Sequence, residues 1–252
     1  MDLELSGKRA IVTGGSRGIG KAIARQLALE GVDVVIAARG RDALRATAQE
    51  LSSETGRRII PLVVDTSDES SVNELVKAAV AELGGIDILV NNAALPGGIS
   101  TATKLEEIVD AQVLEDINIK VVGYLRTARA VAPHLVRNGW GRIINIGGLA
   151  IRKTGRPVAT LRNVGVAAVT KNLADELGPK GVNVVAIHPG ATRTERTQPG
   201  AERDLAANVS IGRIVDSSEI AYLVAFLASP KSVAINGDAI PAGGGSVGNI
   251  YY

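Results

Sequence analysis

The chain contains no cysteine, which excludes disulfides and thiolate metal sites, and its two histidines, His134 and His188, are too few for a histidine-built metal centre. Aromatic residues are 2% of the 252 positions, too few to form platforms for stacked bases. Neither sign of charge is in excess: 28 Lys and Arg stand against 26 Asp and Glu, and no run of five like charges occurs. Nucleic acid and anionic membrane surfaces are therefore not expected as partners. No apolar stretch approaches the roughly 18 residues of a membrane span. The N-terminal MDLELSGKRA is charged from its second residue, unlike a signal peptide. A cytoplasmic protein acting on a small molecule is the expectation.

What is present is ordinary for a globular protein, with 46% hydrophobic and 21% charged residues interspersed and no linker or low-complexity tract. One domain is expected over 1–252. Its organising stretch is IVTGGSRGIGKAIARQLALEG, residues 11–31. An apolar run enters a turn holding Gly14, Gly15, Gly18 and Gly20, then leaves into Ile19, Ile23 and Leu27 at helical spacing. Gly14 permits a sharp turn, Gly18 lets the backbone approach a pyrophosphate, and Gly20 lets the helix pack close to the strand. The helix N-terminus offers unpaired N–H groups to an anion.

Five further apolar runs follow, at 32–38, 59–64, 86–91, 142–146 and 182–188, separated by amphipathic stretches. This βαβ rhythm, with strands apolar on both faces, predicts a doubly wound parallel α/β sheet between two helical layers. Ser67 and Asp68 mark one helix start, and Asp216 with Glu219 marks another. Ligands of such a sheet bind at the carboxyl ends of its strands, so the loops there carry function.

After the second strand the sequence reads IAARGR. A ribose 2′-hydroxyl calls for a carboxylate at this point, whereas a 2′-phosphate calls for arginine. Ala38 is followed by Arg39, and Arg17 adds a second cation, which predicts NADP(H). Asp65 either accepts from an adenine amino group or initiates the following helix. The small residues of NNAA, 91–94, let a ribose come close.

TGGSRGIG at 13–20, Asp65, NNAA, NIK around Asn118, GRIINIGG at 141–148, HPGATRT at 188–194 and INGDAIPAGGG at 235–245 follow one another in the order of a short-chain dehydrogenase/reductase, which the chain resembles over its whole length. The resemblance implies a Rossmann fold. It also implies that Gly14, Ser16, Arg17, Gly18, Ile19 and Gly20 hold the pyrophosphate and Asp65 and Thr66 meet the adenine. Asn92, Ala93 and Ala94 would meet the ribose, and Pro189, Gly190 and Thr194 the nicotinamide end. A homodimer or homotetramer paired through helices near 110–137 and 158–178 is implied as well.

The resemblance breaks at the chemistry. The family uses a serine after the fifth strand, a YxxxK helix about 13 residues later, and an asparagine on the preceding helix. Asn118 is that asparagine, the one catalytic residue retained. Gly148 stands at the serine position; aligning TKNLADELG places Ala159 at the tyrosine and Asn163 at the lysine, an interval of 11 residues from Gly148. Counting 13 instead gives Leu161 and Gly165. An alanine methyl transfers no proton, and losing a positioned acid costs about 10² to 10⁴ in rate. Asn163 retains the ability to hydrogen-bond a ribose hydroxyl, and Asn118 reads either as a proton-relay holder or as the residue that satisfies a backbone break. His188, Tyr124, and Tyr251 or Tyr252 donated to a neighbouring subunit are the replacement acids available.

Cations crowd the same loops: Arg152, Lys153, Arg156, Arg162, Arg193 and Arg196. They read as plain surface charge or as a clamp for an anionic ligand. Two functions follow: an NADP(H)-dependent oxidoreductase on a carbonyl/alcohol pair with an altered proton route, or a catalytically silent cofactor-binding sensor, regulatory or assembly protein.

Overall fold

Each predicted strand forms within two residues of its expected bounds, because each is a short apolar run flanked by turn residues. The computed structural model describes all residues except Pro96, Pro199 and 249–252. Tyr251 and Tyr252 thus lie outside the described residues. In chain order β1 (Arg9–Thr13), α1 (Gly18–Leu29), β2 (Asp33–Ala38), α2 (Arg41–Thr55), β3 (Ile59–Val63), α3 (Glu69–Leu83) and β4 (Ile88–Asn91) form the first half. The second half begins with α4 (Asp110–Ile117), a π-helical turn Asn118–Val122, α5 (Gly123–Asn138), β5 (Gly141–Ile146) and α6 (Pro157–Leu177). It continues through β6 (Val182–Pro189), β7 (Thr192–Arg193), α7 (Ala201–Ala206), β8 (Val215–Asp216), α8 (Ser217–Ala228) and β9 (Ala239–Ala242).

Seven of these strands make one parallel sheet in the order β3-β2-β1-β4-β5-β6-β9. The order reverses between β1 and β4, which opens a crevice at their carboxyl ends. Strand alternation separates two cores. Val12, Ile36, Val90, Ile144 and Val185 face α1, α2 and α8 through Ile23, Leu27, Leu44 and Val224. Ile11, Val35, Leu89, Ile143 and Val184 face α3, α5 and α6 through Leu75, Val131, Leu135 and Leu177.

β9 was not legible as a strand, being short and containing Pro241. It sits at the sheet edge, paired on one side to β6, where a missing N–H is tolerated. Both predicted helix starts form. The Asp68 carboxylate accepts from Ser70 N–H at 2.9 Å, and Glu219 accepts from Asp216 N–H at 2.8 Å. Among the described residues no helix is long and apolar enough to cross a membrane.

Candidate active site

The glycine turn closes as the spacing predicts. Gly14 takes φ +67°, a left-handed conformation that an L side chain rarely adopts, and a Cβ on Gly20 would overlap Gly14's carbonyl oxygen and come within 2.5 Å of Asn92 Nδ2. NNAA is stitched onto this turn. Asn92 Nδ2 donates to the carbonyls of Thr13 (3.0 Å) and Gly14 (3.2 Å), while Thr13 Oγ1 accepts from the N–H groups of Asn92 (3.0 Å) and Ala93 (3.1 Å). Asn92 therefore joins the ends of β1 and β4, and Thr13, which sequence reasoning passed over, is the hub of that joint.

These ends open on a cleft of about 530 Å³. Fifteen predicted cofactor residues line it: Gly14, Ser16, Arg17, Gly18, Ile19, Gly20, Arg39, Asp65, Thr66, Asn92, Ala93, Ala94, Pro189, Gly190 and Thr194. Ala38, Lys120, Arg162 and Arg196 join them. At the start of α1 the N–H of Gly18 donates to the Glu195 carboxylate at 2.7 Å. The chain's own anion thus stands where a helix N-terminus attracts negative charge. The lining, with the glycine turn, Asn92 and the N-terminus of α1, fits a nicotinamide dinucleotide.

Asp65 serves the turn as well as the cleft. Its Oδ1 accepts from Ser67 Oγ (2.6 Å) and Ser67 N–H (2.9 Å), bonds that hold the carboxyl below the usual range, with Arg39 and Arg126 adding to the effect. Both readings of Asp65 are compatible with its place.

Two expectations move. Asn118 does break the helix, at the π-turn, but its side chain is outside the cleft lining: Oδ1 accepts from Arg126 Nη2 at 2.7 Å and its carbonyl from Arg126 Nη1 at 3.2 Å. Asn163 is buried and also lies outside the lining, and each end of its amide has a partner. Nδ2 donates to the Ala159 carbonyl at 2.7 Å, and Oδ1 accepts from Lys120 Nζ at 3.0 Å. A Cβ on Gly148 would stand 3.4 Å from this amide, so positions 148 and 163 face one another. Leu161, in contrast, is half exposed, and Gly165 packs on Val121.

Lys120 is the residue that sequence reasoning missed, although a lone lysine in the apolar run INIKVV was its signal. It is buried, and Nζ donates to the Gly147 carbonyl at 3.1 Å as well as to Asn163. Burial, helped by the Arg162 guanidinium and opposed by Asp116, pushes its ammonium down to about 7. Arg162 and Asp116 form a buried ion pair at 2.9 Å, and Arg162 Nη1 also donates to the Leu95 carbonyl at 3.2 Å.

The proposed anion clamp is corrected at Arg193. Its guanidinium is held by Glu202 (2.7 Å) and Asp216 (2.6 Å), which leaves it no role as a ligand clamp. Arg156 Nη2 donates to the Gly97 carbonyl at 3.1 Å. Of the cations named from the loops, Arg162 and Arg196 line the cleft.

Two of the alternative acids, Tyr124 and His188, lie within the described residues. Tyr124 is fully buried and its hydroxyl donates to the Ile146 carbonyl at 2.9 Å; burial raises its pKa further. His188 accepts from Gly148 N–H through Nδ1 at 3.1 Å, and burial pushes it down to about 4, so it is neutral near pH 7. Its Nε2 is buried without a partner among the described residues. The unfolded chain protonates a histidine near 6.5, so between pH 6.5 and 4 it binds more protons than the native state. Stability is expected to fall as the pH is lowered through that window, by up to about 1.4 kcal/mol per unit. Urea denaturation at pH 6.5 and pH 4.5 measures this, and His188→Gln is expected to flatten the slope; an unchanged slope in that variant overturns the assignment.

Comparison with known proteins places this geometry. Residues 14–246 match the family whose profile is described as enoyl-(acyl carrier protein) reductase. The 3-oxoacyl-(acyl-carrier-protein) reductase FabG of Vibrio cholerae is 34% identical over 248 residues, covering 96% of this chain and 98% of that protein. The short-chain reductase protein NovJ of Streptomyces niveus is 35% identical over 247 residues, covering 94% and 92%. Among solved structures, L-sorbose reductase of Gluconobacter frateurii, complexed with NADPH and L-sorbose, superposes with a TM-score of 0.91 at 28% identity, covering 99% of this chain and 100% of that one. A 3-ketoacyl-(acyl-carrier-protein) reductase of Brucella melitensis complexed with NADH gives 0.86 at 30%, covering 96% and 99%.

Proposed function

The chain belongs to the short-chain dehydrogenase/reductase family, and on that premise we propose that it is an NADP(H)-dependent oxidoreductase acting on a carbonyl/alcohol pair. The observation that carries the reading is the cleft, in which the glycine turn, Asn92, Pro189 and Thr194 meet around one volume. When bound, the nicotinamide supplies or accepts the hydride. The glycine turn would hold the cofactor's phosphates through backbone N–H groups, the Gly18 N–H that now donates to the Glu195 carboxylate among them.

The structural relatives carry NADPH in one case and NADH in another, so the choice between them rests on this chain's own residues. Arg17 and Arg39 at the end of the cleft beside Ala38 favour the 2′-phosphate. In fluorescence titration NADPH is expected to bind more tightly than NADH. Arg39→Ala removes a charge-assisted contact and is expected to narrow that preference by about tenfold. Equal affinities in the unmodified protein would sink the choice of NADP(H), and a panel of carbonyls followed at the nicotinamide absorbance tests turnover.

Within this reading Gly148, Ala159 and Asn163 take the places of the family's serine, tyrosine and lysine, which the facing of positions 148 and 163 supports. The proton at the substrate oxygen then travels by a route other than a tyrosine. Exposed Leu114, Leu125, Leu161 and Val164 on α4, α5 and α6 suit pairing with a second copy along these helices.

A further inference from the structure

The geometry points to Lys120 as the group that exchanges the proton with the substrate oxygen, replacing from a different helix the tyrosine and lysine that this chain lacks. The inference rests on the oxidoreductase reading of the same cleft. It begins from elimination among the described lining residues. Those with titratable groups are Arg17, Arg39, Asp65, Lys120, Arg162 and Arg196. Guanidinium groups do not give up a proton in a protein. Asp65 is held ionised by Ser67. Lys120 remains.

The placement of its amine supports the role. Nζ is anchored by two acceptors, the Gly147 carbonyl at 3.1 Å and Asn163 Oδ1 at 3.0 Å. An ammonium has three N–H donors, so two are consumed in positioning and a third is left for a ligand. The anchors sit where the family's chemistry would be: Gly147 precedes Gly148, and Asn163 holds the place of the lysine. Gly148 carries no side chain beside the Asn163 amide that anchors the amine. Asn163 is therefore a positioning residue, its amide fixed in turn by the Ala159 carbonyl at 2.7 Å.

The charges facing Lys120 come from several elements. Asp116 on α4 and Arg162 on α6 oppose one another as a pair, and His188 on β6 is neutral. No single carboxylate locks the ammonium, and burial opposes its charge, which brings the amine into the range where general acids work at neutral pH.

The step balances as follows. Lys120 Nζ gives a proton to the carbonyl oxygen as hydride from the reduced nicotinamide dinucleotide reaches the carbonyl carbon. The C=O π bond breaks, C–H and O–H bonds form, the dinucleotide is oxidised and the carbonyl is reduced to an alcohol. The neutral amine regains its proton from solvent.

Two measurements on the full chain test this. In protein labelled with 13C at lysine Cε, one resonance is expected to titrate near pH 7, to vanish in Lys120→Met, and to shift on saturation with NADPH. A Lys120 resonance titrating in the ordinary range near 10, or indifferent to NADPH, overturns the inference without reference to activity. Lys120→Arg keeps a permanent cation but removes the transferable proton. It is expected to bind NADPH with unchanged affinity, to lose about a hundredfold in kcat for carbonyl reduction, and to lack the fall in rate above pH 7 that is expected of the unmodified protein. An unmodified protein that turns over, with Lys120→Arg and Lys120→Gln matching its rate and pH profile, overturns the role of Lys120 alone. An unmodified protein that binds NADPH and reduces no carbonyl overturns the reductase reading and the role together.

Discussion

Asp116→Asn is expected to cost the folded state about 3–5 kcal/mol, the range for breaking a buried ion pair by removing one partner. Asp116 and Arg162 side chains are 2% and 7% exposed, so water cannot screen the guanidinium left behind. The loss is compounded by two neighbours. Lys120 is a second buried cation that Asp116 helps to balance, and Asp116 Oδ2 accepts from Ile99 N–H at 3.3 Å, tying the segment after β4 to α4. Urea denaturation measures the change, and a loss below about 1 kcal/mol would refute the assigned role of the pair. The control is Asp116→Leu with Arg162→Met. Replacing both charges by apolar groups of similar volume is expected to return stability to within about 1 kcal/mol of the parent, because the desolvation penalty disappears with the attraction.

Gly20→Ala is expected to weaken NADPH binding by about a hundredfold or more. The added methyl would overlap the Gly14 carbonyl oxygen and press on Asn92 Nδ2, and neither can retreat cheaply. Gly14 is turn backbone, and Asn92 is pinned by its bonds to Thr13 and Gly14. Overpacking of about 1–3 kcal/mol, together with a strained or lost amide hydrogen bond of about 1 kcal/mol, would fall on the turn that cradles the phosphates. A fluorescence titration reads the loss, with circular dichroism confirming that the sheet persists. Retention of the parental affinity would show that α1 does not need its close approach to β1 for binding.

Both predictions depend on contacts that differ in how visible they are from sequence. Gly20 announces itself: a glycine between a buried strand and an amphipathic helix has few other reasons to be there, and the spacing from Gly14 fixes the turn. The Asp116–Arg162 pair gives no such sign. The two residues lie 46 positions apart on different helices, and each reads as an ordinary solvated charge until α4 and α6 are packed together. Arg193 failed in the opposite direction, since its two carboxylate partners arrive from α7 and the end of β8. Lys120 was hidden by its neighbour. Attention to Asn118 obscured that the π-turn rotates the lysine two positions later inward, toward Gly147 and Asn163.

By itself the sequence determined the parallel α/β architecture, since apolar runs alternating with amphipathic stretches leave a buried sheet few alternatives. It also determined the glycine turn and the arginines beside Ala38, because these are properties of residue type at fixed local spacing. Only the tertiary structure decided where charge goes: which arginines are consumed by carboxylates, that Asn163 holds an amine, and that this amine is Lys120. The reason is that burial and pairing are set by which helices the sheet brings side by side, a long-range outcome that no local pattern records.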